Sequence, residues 1–219
     1  MILAVTGGKG GVGKSTLAYN LGAALDAVVV DADLGMADLP RGRGPDLHDV
    51  LAGRAAPREA VRSGPVDLLP CGRSLAGARA ADVGRLEEAV GSIGAGRDVI
   101  LDCPAGLRAD AGVPLAVADA CLVVASPRAW ALADAVSARE LARELDAGVV
   151  AVALNRVLDS VPTGAVERAL GAPAVSVPAD PRLGRSVETE SPVVEAAPDS
   201  AAARAIEGLA ADVHSCRSP

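Results

Sequence analysis

A glycine-dense stretch near the amino terminus, Gly7-Gly8-Lys9-Gly10-Gly11-Val12-Gly13-Lys14-Ser15-Thr16, restricts what this chain can fold into more than any other segment. It lies between a short apolar run, Ile2-Leu3-Ala4-Val5, and a helix-compatible segment, Leu17 to Leu25. Gly8 through Ser15 fit G-x-x-x-x-G-K-[ST] without a gap, in the strand–loop–helix context that the pattern requires. Glycines allow successive backbone N–H groups to converge on one anion, and a helix that starts near Ser15 adds the positive end of its dipole. Gly8, Gly10, Gly11, Val12, Gly13, Lys14, Ser15 and Thr16 are therefore expected to cradle a chain of phosphates. Lys14 is placed to neutralise the β- and γ-phosphates, and the Ser15 hydroxyl to ligate Mg²⁺.

Lys9 is a second ammonium inside the same loop. Of the 21 basic residues, only Lys9 and Lys14 are lysine, so both lysines of an otherwise arginine-using chain fall in one loop. Arginine's planar fork and lysine's compact ammonium are not interchangeable at a crowded phosphate.

The 219 residues suffice for one large domain with a full core, expected to span 1–219 with a disordered tail at 214–219. There is no Phe, one Trp and one Tyr, so that core must be aliphatic. The net charge of −7 argues against a nucleic-acid partner. Cys71, Cys103, Cys121 and Cys216 are scattered without a CxxC pair, which argues against a zinc or iron–sulfur site. Cys103 and Cys121 lie in or beside apolar runs and read as buried thiols. The loop begins almost at Met1, and no apolar run is long enough to span a bilayer. A soluble, cytoplasmic protein is expected.

Valine-rich runs alternate with helix-like segments. Strands are expected at Ile2–Thr6, Ala27–Asp31, Val66–Pro70, Val99–Asp102, Ala120–Ala125, Val149–Leu154 and Ala174–Val177. Helices are expected at Leu17–Leu25, Leu47–Arg62, Asp82–Ile93, Ala129–Leu145, Thr163–Leu170 and from Ser200 to about Val213. Ser126-Pro127 reads as an N-cap followed by proline at the first helical position. The alternation implies a single-domain α/β fold, a mostly parallel twisted sheet with helices on both faces. His48 reads as a surface or capping residue.

Two strand ends carry acids. Val28-Val29-Val30-Asp31-Ala32-Asp33 closes at the carboxyl edge of the sheet, where open α/β folds bind ligands. Asp33 could hold a Mg²⁺-bound water or orient an attacking one. Val99-Ile100-Leu101-Asp102-Cys103-Pro104-Ala105-Gly106 is a second such strand. Asp102 would face Ser15 across the Mg²⁺ site, and the Gly106 amide could sense a γ-phosphate. At a third edge position, in Leu154-Asn155-Arg156, a side-chain amide could pair with adenine or simply close a turn.

The Lys9-Gly10-Gly11-Val12-Gly13-Lys14-Ser15-Thr16 run, with its extra lysine, resembles the deviant phosphate loop of the MinD/ParA family of ATPases, closest to its MinD-like members. Matches to that family extend from Met1 to roughly Val194. The resemblance implies a P-loop ATPase that binds Mg²⁺-ATP, dimerises on ATP and hydrolyses it to ADP as a switch for spatial positioning or cell-division-site regulation. Lys9 would reach the partner subunit's nucleotide, Lys14 would act in its own site and Asp33 would be the catalytic acid. Asn155 and Arg156 resemble the family's adenine-reading pair, and Pro178 and Asp180 the segment that closes over the base. Ala37-Asp38-Leu39-Pro40 departs from the family's N-L-D, and Cys103 from its Ser or Thr. The tail lacks the basic amphipathic helix of membrane-binding members, which argues against direct membrane binding and leaves recruitment through an unknown protein partner or activator. A ParA-like partitioning ATPase and a nucleotide-dependent scaffold with little hydrolysis remain alternatives.

Overall fold

The expected apolar runs are strands in the computed structural model, which describes residues 1–35, 38–106 and 109–216. Ala37 and the terminal Arg217–Pro219 lie outside the described residues. β1 (Ile2–Thr6) leads through the glycine loop into α1 (Lys14–Leu25) and β2 (Val28–Asp31). Next come α2 (Leu47–Leu51), α3 (Pro57–Ala60), β3 (Leu68–Leu69), α4 (Leu75–Ala80), α5 (Leu86–Ile93) and β4 (Val99–Asp102). The chain continues through α6 (Ala109–Ala116), β5 (Ala120–Ala125), α7 (Ala129–Glu144), β6 (Gly148–Val157) and α8 (Gly164–Leu170). It closes with β7 (Ala174–Pro178), α9 (Pro181–Arg185), α10 (Val193–Ala196) and α11 (Ala201–Ser215).

These elements form a single domain around a seven-stranded sheet of order β3-β2-β4-β1-β5-β6-β7. Every pairing is parallel. Successive strand side chains point to opposite faces, so each run feeds two cores. Val28, Val30, Val99, Leu101, Val152 and Leu154 meet α2, α5, α7 and α8 on one face. Leu3, Val5, Val29, Ile100, Leu122 and Ala153 meet α1, α9, α10 and α11 on the other. The core is aliphatic as expected, with Leu, Ile and Val as its large buried residues and Tyr19 beside them. Each fully buried Leu or Val contributes about 1.5–3 kcal/mol relative to exposure.

Several local expectations are corrected. The helix expected at Leu47–Arg62 is two short helices, because the chain turns at Gly53 and restarts at Pro57. The segment Asp82–Ile93 opens with a single 3₁₀ turn, Val83–Arg85, capped by Asp82. Ser126 and Pro127 do not cap α7; its N-cap is Arg128, in extended backbone, and the preceding residues line a cleft beside the phosphate loop. His48 is buried at 2% exposure rather than at the surface, because Leu34 and Cys71 supply partners for its Nε2. The final helix runs to Ser215, through the first residues of the expected disordered tail. Cys71, Cys103 and Cys121 are buried thiols and Cys216 is exposed. Burial pushes the Cys121 thiol up to about 12 and lifts Cys71 and Cys103 well above the usual thiol range. Among the described residues, no helix is long and apolar enough to cross a membrane.

Candidate nucleotide site

The glycine loop joins β1, central in the sheet, to α1. Gly13 is the N-cap of α1 and sits at φ 100°, in left-handed space that an L side chain rarely adopts. No side chain caps α1, and its first turn holds no acid. The orphan N–H groups of that turn and the dipole's positive end therefore face the loop's concavity without a side-chain acceptor. Lys14 is 8% exposed and folds back over the loop, its Nζ donating to the Lys9 carbonyl at 3.4 Å. Lys9 itself is on the exposed rim. At Gly8 the loop meets the backbone of α7 so closely that a Cβ would collide with the Asp134 carbonyl. On its other side the loop approaches the β4–α6 connection: a Cβ on Gly10 would lie 3.8 Å from that of Ala105, next to Gly106 at φ 97°.

The acids converge behind the loop. Parallel pairing of β2 and β4 sets Asp31 opposite Asp102, both buried. Asp102 accepts a hydrogen bond from the Ser15 side chain, while its Oδ1 has no partner. Burial holds the Asp102 carboxyl well above the usual carboxylate range, with the Ser15 hydrogen bond and Lys14 opposing and Asp31 reinforcing. Burial likewise pushes Asp31 up to about 7, against hydrogen bonds from the Leu39 and Asp33 amides at 3.4 and 3.3 Å. Asp33, half-buried, accepts from the Gly35 amide at 3.2 Å.

This arrangement fits Mg²⁺. A hydroxyl and a buried carboxylate with an unpartnered oxygen are hard oxygen donors. Among the described residues no group of three or more His, Cys, Asp or Glu could hold a metal ion. Asp31 is the residue that sequence reasoning passed over. It stood in the same Asp-Ala-Asp motif as Asp33, but its partner across the sheet lies 71 positions away.

The fourth motif lies at the end of β6. Asn155 is 3% exposed. Its Nδ2 donates to the Val12 carbonyl at 2.9 Å, and its Oδ1 accepts from the Arg156 amide at 2.9 Å. Arg156 sits at φ 62° where the pairing with β7 slips. Asn155, Arg156, Pro178 and Asp180 all line a cavity of about 460 Å³, together with Thr16 and the exposed Leu158. Asp180 turns its carboxylate to its own helix, capping α9 through the Arg182 amide at 2.8 Å and pairing with the Arg182 guanidinium at 2.7 Å. Arg182 holds that carboxyl below the usual range. The residues expected to hold the phosphates and those expected to meet the base thus occupy adjoining stretches of one sheet edge.

Residues 3–193 match the model of the CobQ/CobB/MinD/ParA nucleotide-binding domain. An uncharacterized ATP-binding protein of Methanocaldococcus jannaschii is 35% identical over 226 residues, covering 95% of this chain and 86% of the relative. The Pyrococcus furiosus cell division ATPase MinD superposes with a TM-score of 0.90 at 30% identity, over 98% of both chains. The septum site-determining protein MinD of Pyrococcus horikoshii, in complex with Mg-ADP, superposes with a TM-score of 0.88 at 29% identity, over 97% of this chain and 95% of that one.

Proposed function

The chain belongs to the CobQ/CobB/MinD/ParA family of nucleotide-binding domains, and from that membership we propose that it is a MinD-like ATPase switching between an ATP-bound dimer and an ADP-bound monomer. ATP and ADP are its nucleotides and Mg²⁺ its metal. One observation carries the reading: the unpartnered, buried Asp102 oxygen beside Ser15, at the foot of a helix that begins without a cap. Such an arrangement is costly in an empty protein and is relieved by Mg²⁺ with a phosphate chain.

In this reading the amides from Gly8 to Thr16 bind the phosphates, and Lys14 leaves the Lys9 carbonyl to neutralise the β- and γ-oxygens. Ser15 and Asp102 hold Mg²⁺, which when bound supplies charge neutralisation and a template for the phosphate oxygens. Asp33 orients the attacking water, and Gly106 registers the γ-phosphate. Lys9 acts on the partner subunit's nucleotide. It sits on the rim of a loop whose own ammonium position Lys14 already fills, a placement that suits an anion presented across a two-fold axis. The cycle serves spatial positioning or division-site regulation and is timed by a protein activator; membrane contact, where it occurs, runs through that partner.

The test is mass in solution. Light scattering on Asp33→Ala should give a dimer with Mg²⁺-ATP and a monomer with Mg²⁺-ADP or with ATP and a chelator. The same mass in every state would overturn the dimer cycle. Absence of nucleotide binding by the wild type would overturn the assignment itself.

A further inference from the structure

Asn155 was expected to read a base, yet both ends of its amide are already engaged in the nucleotide-free protein. The side chain is 3% exposed and reaches out of β6 to the phosphate loop, where Nδ2 donates to the Val12 carbonyl at 2.9 Å. Its Oδ1 accepts the Arg156 amide at 2.9 Å, where Arg156 sits at φ 62° in left-handed space, a conformation a non-glycine residue adopts at a cost. The loop is cut to fit this side chain: a Cβ at Gly13 would collide with Nδ2. Val12 is also buried, so its carbonyl has little access to water and would be left poorly satisfied without the amide.

We propose that Asn155 is a positioning residue that clamps the phosphate loop in its binding shape, fixing Val12 and Gly13 from the end of β6 before any nucleotide arrives. This rests on the nucleotide-binding reading above and adds a role to it. A loop whose N–H groups are held in place loses little entropy when phosphates bind, so the clamp contributes to affinity for the phosphate chain rather than for the base. One Nδ2 hydrogen and one Oδ1 lone pair stay uncommitted toward the cavity that Asn155 lines with Pro178 and Leu158, so the clamp adds to a base contact and does not replace it.

The chemistry separates the two roles. Asn155→Asp keeps an acceptor for the Arg156 amide but sets an oxygen against the Val12 carbonyl, whereas Asn155→Ala removes both bonds. Affinities for Mg²⁺-ATP, Mg²⁺-GTP and inorganic Mg²⁺-tripolyphosphate are measured on the wild type and both variants by calorimetry. Amide hydrogen exchange of Gly10–Lys14 is followed without ligand. A clamp predicts about tenfold weaker binding of all three ligands, tripolyphosphate included, and faster exchange in the loop of the empty variants. Unchanged tripolyphosphate affinity with a lost ATP preference would make Asn155 a base reader and overturn the clamp. Wild-type affinities and exchange in both variants would overturn it equally. Should Asn155→Ala not fold, Asn155→Asp and its exchange profile decide. If the wild type binds none of the three ligands, the nucleotide reading fails first, and loop exchange alone then judges the clamp.

Discussion

The two ends of the binding edge are built on different plans. At the end expected to hold the phosphates, between β2, β4 and β1, titratable groups are buried: Asp31 and Asp102 lie side by side, the Asp102 Oδ1 has no partner, and Lys14 leans on a loop carbonyl. At the base end, around β6 and β7, polar groups are already paired within the protein: Asn155 with Val12 and Arg156, Asp180 with Arg182. The first end stores unfavourable electrostatics that, in the proposed reading, a magnesium–phosphate ligand would relieve. The second presents a mostly finished wall. The difference teaches where binding free energy comes from in such a site: charge compensation at one end, shape at the other.

If that contrast is right, substitutions at the two ends should differ in size and kind. The largest effect belongs to Lys14→Ala. Removing the loop's own counter-charge should weaken Mg²⁺-ATP by roughly a thousandfold, about 4 kcal/mol, in equilibrium binding with the fold intact by circular dichroism. Near-normal affinity would break the account of the phosphate end.

Next comes Asp31. Its carboxyl rises from 3.8 to about 7 on folding, so the native state holds a proton that the unfolded chain releases. The stability this represents is fully present below pH 3.8 and is lost as pH rises through about 7. For a group this deeply buried the span is on the order of 4 kcal/mol, shared with Asp102 beside it. Denaturant melts of the nucleotide-free protein should therefore show stability falling between pH 5 and pH 8, and Asp31→Asn should flatten that slope. A slope identical in wild type and variant would show that the pair carries no such strain.

The smallest effect is expected at the base end. Asp180→Ala should change Mg²⁺-ATP affinity by less than about threefold while costing about 1 kcal/mol of stability, because what is lost is a helix cap. A large affinity loss with unchanged melting would mean that Asp180 abandons Arg182 for the ligand, and the contrast would blur.

The same contrast explains what could be read in advance. Gly7 to Thr16 announces its purpose because strand, loop and helix are contiguous, and the chemistry is in the residue types. The valine-rich runs announce buried parallel strands for a similar local reason. Asp31 escaped notice because its meaning depends on which strand lies next to β2, and β4 is a crossover away in sequence. His48 looked like a surface residue because its partners, Leu34 and Cys71, come from other segments. Ser126 looked like a cap because Ser-Pro is a local signal, yet the chain uses those residues to line the cleft before α7 begins. The short helices α4, α9 and α10 fall below the length at which periodicity speaks.

The distribution of thiols has a practical consequence. Three of the four cysteines are buried, with their ionisation pushed out of reach at neutral pH, while Cys216 lies exposed just past the end of α11. A maleimide dye should therefore attach at one point without any cysteine being removed. That point is carried on α11, a helix packed against α1 and β7. Donor- and acceptor-labelled populations, mixed and given ATP, would show by energy transfer whether the proposed association occurs, with the unaltered sequence as the reagent.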